Sequence, residues 1–86
     1  MQDQVDPIAL ADAATRMRRP WSTVRDWPSR YNARKVGTVG RKVYYDYWDL
    51  STIDAMKNLG LRVLETPEER ARWREESRPA RHFDAA

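Results

Sequence analysis

Residues 10–27, LADAATRMRRPWSTVRDW, decide how this chain reads. Leu10, Ala13, Ala14 and Met17 fall at i, i+3, i+4 and i+7, one apolar stripe along a helix. Pro20 restarts the chain. A second short helix follows, with Val24 as its apolar anchor and Ser22, Thr23, Arg25 and Asp26 on its other faces. Pro28 stops that helix near Trp27, because proline lacks an N–H and crowds the turn before it. Helices this short do not stand alone in water, so a downstream element must cover them. Arg16, Arg18, Arg19 and Arg25 crowd the turn between them and set its chemistry.

Charge is segregated along the chain. Residues 16–44 hold nine basic side chains (Arg16, Arg18, Arg19, Arg25, Arg30, Arg34, Lys35, Arg41 and Lys42) against one acid, Asp26. The remainder is acidic, and the whole carries a net +3. A basic block that coincides with a helix pair is the electrostatic footprint expected for a polyanion. The 86 residues make one small domain, in which four tryptophans and four tyrosines must supply much of the buried area. With no cysteine there is no disulfide or thiolate chemistry, which fits a reducing cytoplasm. No apolar run approaches the roughly 18–20 residues of a membrane helix, and MQDQVDP has no signal-peptide character.

Working outward, residues 1–5 are expected to be a disordered lead-in. Asp6-Pro7 reads as a cap followed by a proline at the first helical position, starting a helix that runs from 7 to 16 or 17. Residues 28–32 read as a linker. In ARKVGTVGRKVYYD the β-formers group around Gly37 and Gly40. They predict a two-stranded hairpin over 34–39 and 42–45, turning at Gly40-Arg41. Asp46 is the expected cap of a third helix. Its Trp48, Leu50, Ile53, Met56 and Leu59 form one buried face, and Gly60 is its stop. Leu61, Val63 and Leu64 are expected to fold back on the core. Thr66-Pro67-Glu68-Glu69 is a capping-box start for a charged helix over 66–77, docked through Trp73. Residues 78–86 are expected to be a disordered tail. His82 lies there without a second ligand, so no metal is expected, nor any cofactor.

Helix, basic turn, helix, basic wing, third helix is the order that resembles the winged helix-turn-helix of MerR-type regulators and phage excisionases. DAATRMRRPWSTVRDW is similar to the family's first two helices, and VGRKVYYDYWDL to its wing and entry into helix three. The resemblance covers about residues 8–59. It departs at Arg18, where the family commonly has glycine, at Pro20, where it has a Ser or Thr cap, and in the linker 28–32. It implies a mainly α domain over 6–65 with a small two-stranded wing. It also implies sequence-specific binding of double-stranded DNA, as a transcriptional regulator or an excisionase of phage or mobile-element type. The setting would be a bacterial cytoplasm. One lone winged domain makes few base contacts, so self-association or cooperative binding on DNA is expected. An integrase or RNA polymerase is the protein partner those two jobs would bring.

On that reading each residue has a part. Arg25 stands one residue beyond the buried Val24, where a guanidinium can reach guanine O6 and N7 through two parallel hydrogen bonds. A phosphate clamp, or an ion pair with Asp26 or Asp12, is the alternative use. Ser22 and Thr23 either bind phosphate or satisfy their own helix start. Trp21 either presses on a thymine methyl or a sugar, or folds under as core. Trp27, Tyr31, Tyr45 and Trp48 are assigned to the core. Arg18 and Arg19 are expected on phosphate. Arg30 lies in the linker. Arg34, Lys35, Thr38, Arg41 and Lys42 belong to the wing, with Arg41 at its tip the candidate for the minor groove. Asp26 completes the set. Two other readings compete: an interaction adaptor whose basic face binds an acidic protein, and a DNA-packaging protein like the winged domain of small terminase subunits. An enzyme is not expected. The chain has one tail histidine, no Gly-rich phosphate loop and no evident carboxylate pair in a pocket.

Overall fold

The computed structural model describes residues 5–77, so the expectations for residues 1–4, 78–86 and His82 lie outside the described residues. The chain order is β1 (Pro7–Ala9), α1 (Leu10–Met17), α2 (Trp21–Val24), α3 (Trp27–Arg30), β2 (Lys35–Val39), β3 (Lys42–Asp46), α4 (Tyr47–Asn58) and α5 (Pro67–Ser77). The strands form one antiparallel sheet in the order β1-β3-β2. The domain is thus mixed α/β, and the expected two-stranded wing is part of a three-stranded sheet.

The third strand comes from Asp6-Pro7, which does not start α1. Pro7, Ile8 and Ala9 pair with Asp46, Tyr45 and Tyr44 of β3. A proline is tolerated at the first residue of an edge strand, where its missing N–H takes nothing from the ladder. The Asp6 backbone N–H donates to Asp46 Oδ1 at 3.1 Å and its carbonyl accepts from the Tyr47 N–H at 2.8 Å. Asp6 is therefore spent on the sheet, and α1 begins at Leu10 without a side-chain cap. Its stripe packs as predicted: Ala13 and Ala14 are buried, and Leu10 and Met17 lie against the core.

Arg18 ends α1 in the left-handed conformation, φ 59° and ψ 44°. The Arg18 N–H donates to Thr15 O at 3.1 Å and the Arg19 N–H to Ala14 O at 2.9 Å. These are the paired bonds of a Schellman ending, normally built on glycine. The predicted helix over 20–27 is two single turns, α2 and α3, broken at Arg25 and Asp26. Residues 28–30, expected in a linker, are helical. Pro28 explains both differences. It cannot donate to Val24 and its ring opposes that carbonyl, so the ladder breaks there. Proline is well suited to the first turn of a new helix, which closes through Arg30 N–H to Asp26 O and Tyr31 N–H to Trp27 O, both 2.8 Å.

The hairpin turns at Gly40-Arg41 as predicted, with Gly40 at φ 60° and Val39 paired to Lys42. A bulge at Val36 interrupts the pairing between Lys35↔Tyr45 and Gly37↔Tyr44. Cross-strand partners share a face. Thr38 and Val43 therefore stand on the side of Tyr45 and Ile8, which pack against the core, while Val39 and Lys42 stand on the side of Tyr44.

Asp46 caps α4 by accepting from the Trp48 N–H at 3.1 Å. Gly60, at φ 73°, ends it with Gly60 N–H to Lys57 O at 3.1 Å and Leu61 N–H to Met56 O at 2.8 Å. The core joins Ala13, Ala14, Val24, Trp27, Ala33, Leu50 and Ile53. Trp27 is 2 % exposed, and Tyr31 and Tyr45 pack on this cluster. Trp48 departs from its core assignment at 47 % exposure: it sits in the first turn of α4, at the margin of the stripe formed by Asp49, Thr52, Ile53 and Met56. Leu59 and Leu61 are also exposed, because the helix ends at Asn58, before both, and only Val63 of the following segment returns to the core.

The capping box of α5 is formed in both directions, Thr66 N–H to Glu69 Oε1 at 3.2 Å and Glu69 N–H to Thr66 Oγ1 at 3.1 Å. The residue that docks this helix is Arg70, not Trp73. Arg70 is 0 % exposed, whereas Trp73 is only half-buried. Arg74 adds a second tether, donating to Thr52 Oγ1 at 2.8 Å. A helix without an apolar stripe is here held by charge and hydrogen bonds.

Candidate nucleic-acid interface

α2 is anchored by Val24, fully buried against the core, and this fixes which of its faces turn outward. Ser22, Thr23 and Arg25 are exposed, and Trp21 is 50 % exposed. Trp21 is therefore neither plain core nor free of the protein. The Ser22 and Thr23 hydroxyls make no hydrogen bond within the described residues, so they are not used to satisfy their own helix start. The Arg25 Nε lies 3.8 Å from Asp26 Oδ1, with both side chains mostly in solvent. An exposed pair of that length contributes little and leaves the guanidinium free to turn elsewhere.

The two turn arginines have different fates. Arg18, in its left-handed bend, is exposed and makes no ion pair among the described residues. Arg19 folds back on α4, with Nε–H to Asp54 Oδ1 at 2.7 Å and Nη2–H to Asn58 Oδ1 at 2.5 Å. Arg19, expected on phosphate, here uses its charge to hold the turn to α4. Arg16 is likewise engaged, with Nη1 3.2 Å from Asp6 Oδ2 and the guanidinium 4.0 Å from the Tyr47 ring centroid.

Beyond α2, Asp26 and Arg30 are exposed at either end of α3. On the hairpin, Lys35, Thr38, Arg41 and Lys42 are exposed, and the three cations make no ion pair among the described residues. Val39, not singled out from the sequence, is 71 % exposed beside Lys42 at the tip. Its signal was an apolar residue next to the turn glycine, read only as a β-former. Arg34 differs from the other hairpin cations. It is drawn toward Asp46, Nη1 to Oδ2 at 3.9 Å. That buried oxygen has no hydrogen-bond partner within the described residues, so the approach of the guanidinium compensates its charge.

Of the predicted residues, Asp26 and Arg30 are exposed at the ends of α3, and the others fall into two exposed groups and one pair drawn toward acidic partners. Arg18, Trp21, Ser22, Thr23 and Arg25 share the α1–α2 turn and the outer face of α2. Lys35, Thr38, Arg41 and Lys42 line the hairpin. Arg19 and Arg34 turn inward. The first group offers hydroxyls, an indole and exposed guanidinium groups, the second mainly exposed cations on the hairpin. No helix of the described residues is long and apolar enough to cross a membrane, and no group of three or more His, Cys, Asp or Glu among them could hold a metal ion. Comparison of the chain with family models, with curated proteins and with solved structures finds no match.

Proposed function

We propose that this chain is a sequence-specific binder of double-stranded DNA with the architecture of a winged helix-turn-helix. In this reading α1 lies behind, α2 enters the major groove, and the β2–β3 hairpin follows the neighbouring backbone or minor groove. The observation that carries the reading is the contrast within α2. Val24 is buried while Ser22, Thr23 and, at the C-cap, Arg25 are turned outward, the two hydroxyls without a hydrogen bond among the described residues and the guanidinium in only an exposed 3.8 Å pair with Asp26. Arg25 is the residue best suited to a guanine edge, and Ser22 and Thr23 to phosphate or a base. Arg18, Lys35, Arg41 and Lys42 neutralise phosphates and set the salt dependence.

The job proposed is that of a small regulator or recombination directionality factor of a phage or mobile element, acting in the cytoplasm without enzymatic activity. Copies binding side by side on DNA would supply the specificity one domain lacks, with an integrase or RNA polymerase as protein partner. Selection of bound sequences from random duplex DNA tests the core of this. A recovered motif with a steep salt dependence supports it. Equal binding to all duplexes at physiological salt favours an adaptor for an acidic protein.

A further inference from the structure

Residues 31–34 carry the chain from α3 to the hairpin, and have neither helix nor strand structure of their own. Asn32 there adopts the left-handed conformation at φ 55°, which costs a non-glycine residue unless its surroundings hold it. What holds this connector is a side chain more than thirty positions away. The Arg70 guanidinium has five N–H donors and spends all five. Nε donates to Asp49 Oδ1 at 2.6 Å and Nη2 to Asp49 Oδ2 at 2.7 Å. Nη1 donates to the carbonyls of Tyr31 at 2.8 Å and Leu64 at 2.7 Å, and Nη2 also to that of Asn32 at 3.2 Å. On the other flank, Asp49 Oδ2 accepts the Arg34 backbone N–H at 2.8 Å. Arg70 and Asp49 are both buried, so water does not compete for these bonds. One ion pair grips the connector on both sides of Ala33, where the hairpin departs from the helices.

We propose that Arg70 is a positioning residue for the DNA interface: through Asp49 and the 31–34 connector it sets the angle between α2 and the hairpin. This rests on the DNA-binding reading above. It makes α5 part of the reading head, because base contacts from α2 and backbone contacts from the hairpin must fall in register on one duplex. Arg70 itself is buried and adds no phosphate contact. Its loss should therefore affect discrimination between sequences and leave the general electrostatic attraction unchanged.

The test uses the full chain, a duplex selected by the wild type, and a random duplex of the same length. Arg70→Lys keeps the charge but lacks the planar fork that matches a carboxylate and three carbonyls. In case that variant does not fold, the double variant Arg70→Met with Asp49→Leu replaces the buried pair by apolar volume, an exchange proteins often tolerate. In either folded variant, preference for the selected duplex is expected to fall about tenfold, the worth of one base contact, with affinity for random DNA and the salt slope unchanged. Amide exchange in the free wild type gives an independent readout: the Arg34 N–H should be protected along with the core of α4. Undiminished preference in a folded variant, a salt slope lowered by about one, or free exchange at Arg34 in the wild type overturns the assignment. A wild type that itself shows no preference overturns the DNA reading and the assignment with it. Wild-type preference alongside an unchanged variant overturns the assignment alone.

Discussion

Arg19 donates its Nε–H to Asp54 at 2.7 Å, which fastens the turn between α1 and α2 to α4 and leaves the adjacent Arg18 as that turn's exposed cation. Two neighbouring arginines of the same basic motif are thereby separated into a structural role and a surface role. The difference is open to experiment. Arg19→Ala is expected to destabilise the domain by about 1–3 kcal/mol, the range for a charge-assisted hydrogen bond whose partner is left partly buried, without changing the salt slope of DNA binding. Lys42→Ala should leave stability within about 0.5 kcal/mol and lower that slope by about one. Urea denaturation and binding titrations over a salt series measure both.

Arg18 holds a backbone conformation that suits glycine. Arg18→Gly relieves a left-handed residue costing roughly 1–2 kcal/mol and adds some unfolded-state entropy, for an expected net gain of about 0.5–1 kcal/mol. If Arg18 also faces phosphate, the same variant binds DNA more weakly at low salt. A rise in Tm accompanied by a shallower salt slope is the expected pair of results.

The tryptophans divide in a similar way. Trp27 is in the core, with the Tyr31 ring edge-on at 6.5 Å, and Trp27→Ala should cost about 3–5 kcal/mol. Trp48 is half in solvent on the first turn of α4, and Trp48→Ala should cost under about 1 kcal/mol. Chemical denaturation of the two variants checks the ranking.

Much of this was legible because it is local. The Asp46 cap, the Gly60 stop, the Thr66–Glu69 box and the Gly40-Arg41 turn each depend on a few adjacent residues, and each is found where the sequence puts it. The stripe of α1 and the anchor Val24 follow from helical periodicity. What was not legible depends on partners far away in the chain. Pro7–Ala9 is a strand because β3 offers it an edge, and no local signal outweighs the Asp-Pro pattern of a helix start. Trp48 and Leu59 share a helix with the core residues but fall at its margins, which only packing decides. Arg70 is the clearest case. In PEERARWREES it is one charge among many, and its buried place follows from Asp49 and three carbonyls that the fold brings to it. The sequence hint was negative: a well-capped helix without an apolar stripe must dock by other means.

That dependence has a stability consequence. Arg70→Met leaves Asp49 buried without its partner, and a loss of about 3–5 kcal/mol is expected. Adding Asp49→Leu should recover part of it, since the uncompensated charge is gone while the connector carbonyls remain unmatched. Urea unfolding of the single and double variants gives the coupling directly.

The central claim is that the outer face of α2 and the tip of the hairpin meet the same duplex. Amide chemical-shift mapping of the labelled chain, titrated with its selected duplex, tests this most directly. The expected result is perturbation concentrated at Arg18, Trp21–Val24, Arg25 and residues 39–42, with the outer surface of α5 unaffected. Perturbation confined to α5, or absent from α2 while the duplex is bound, would contradict it.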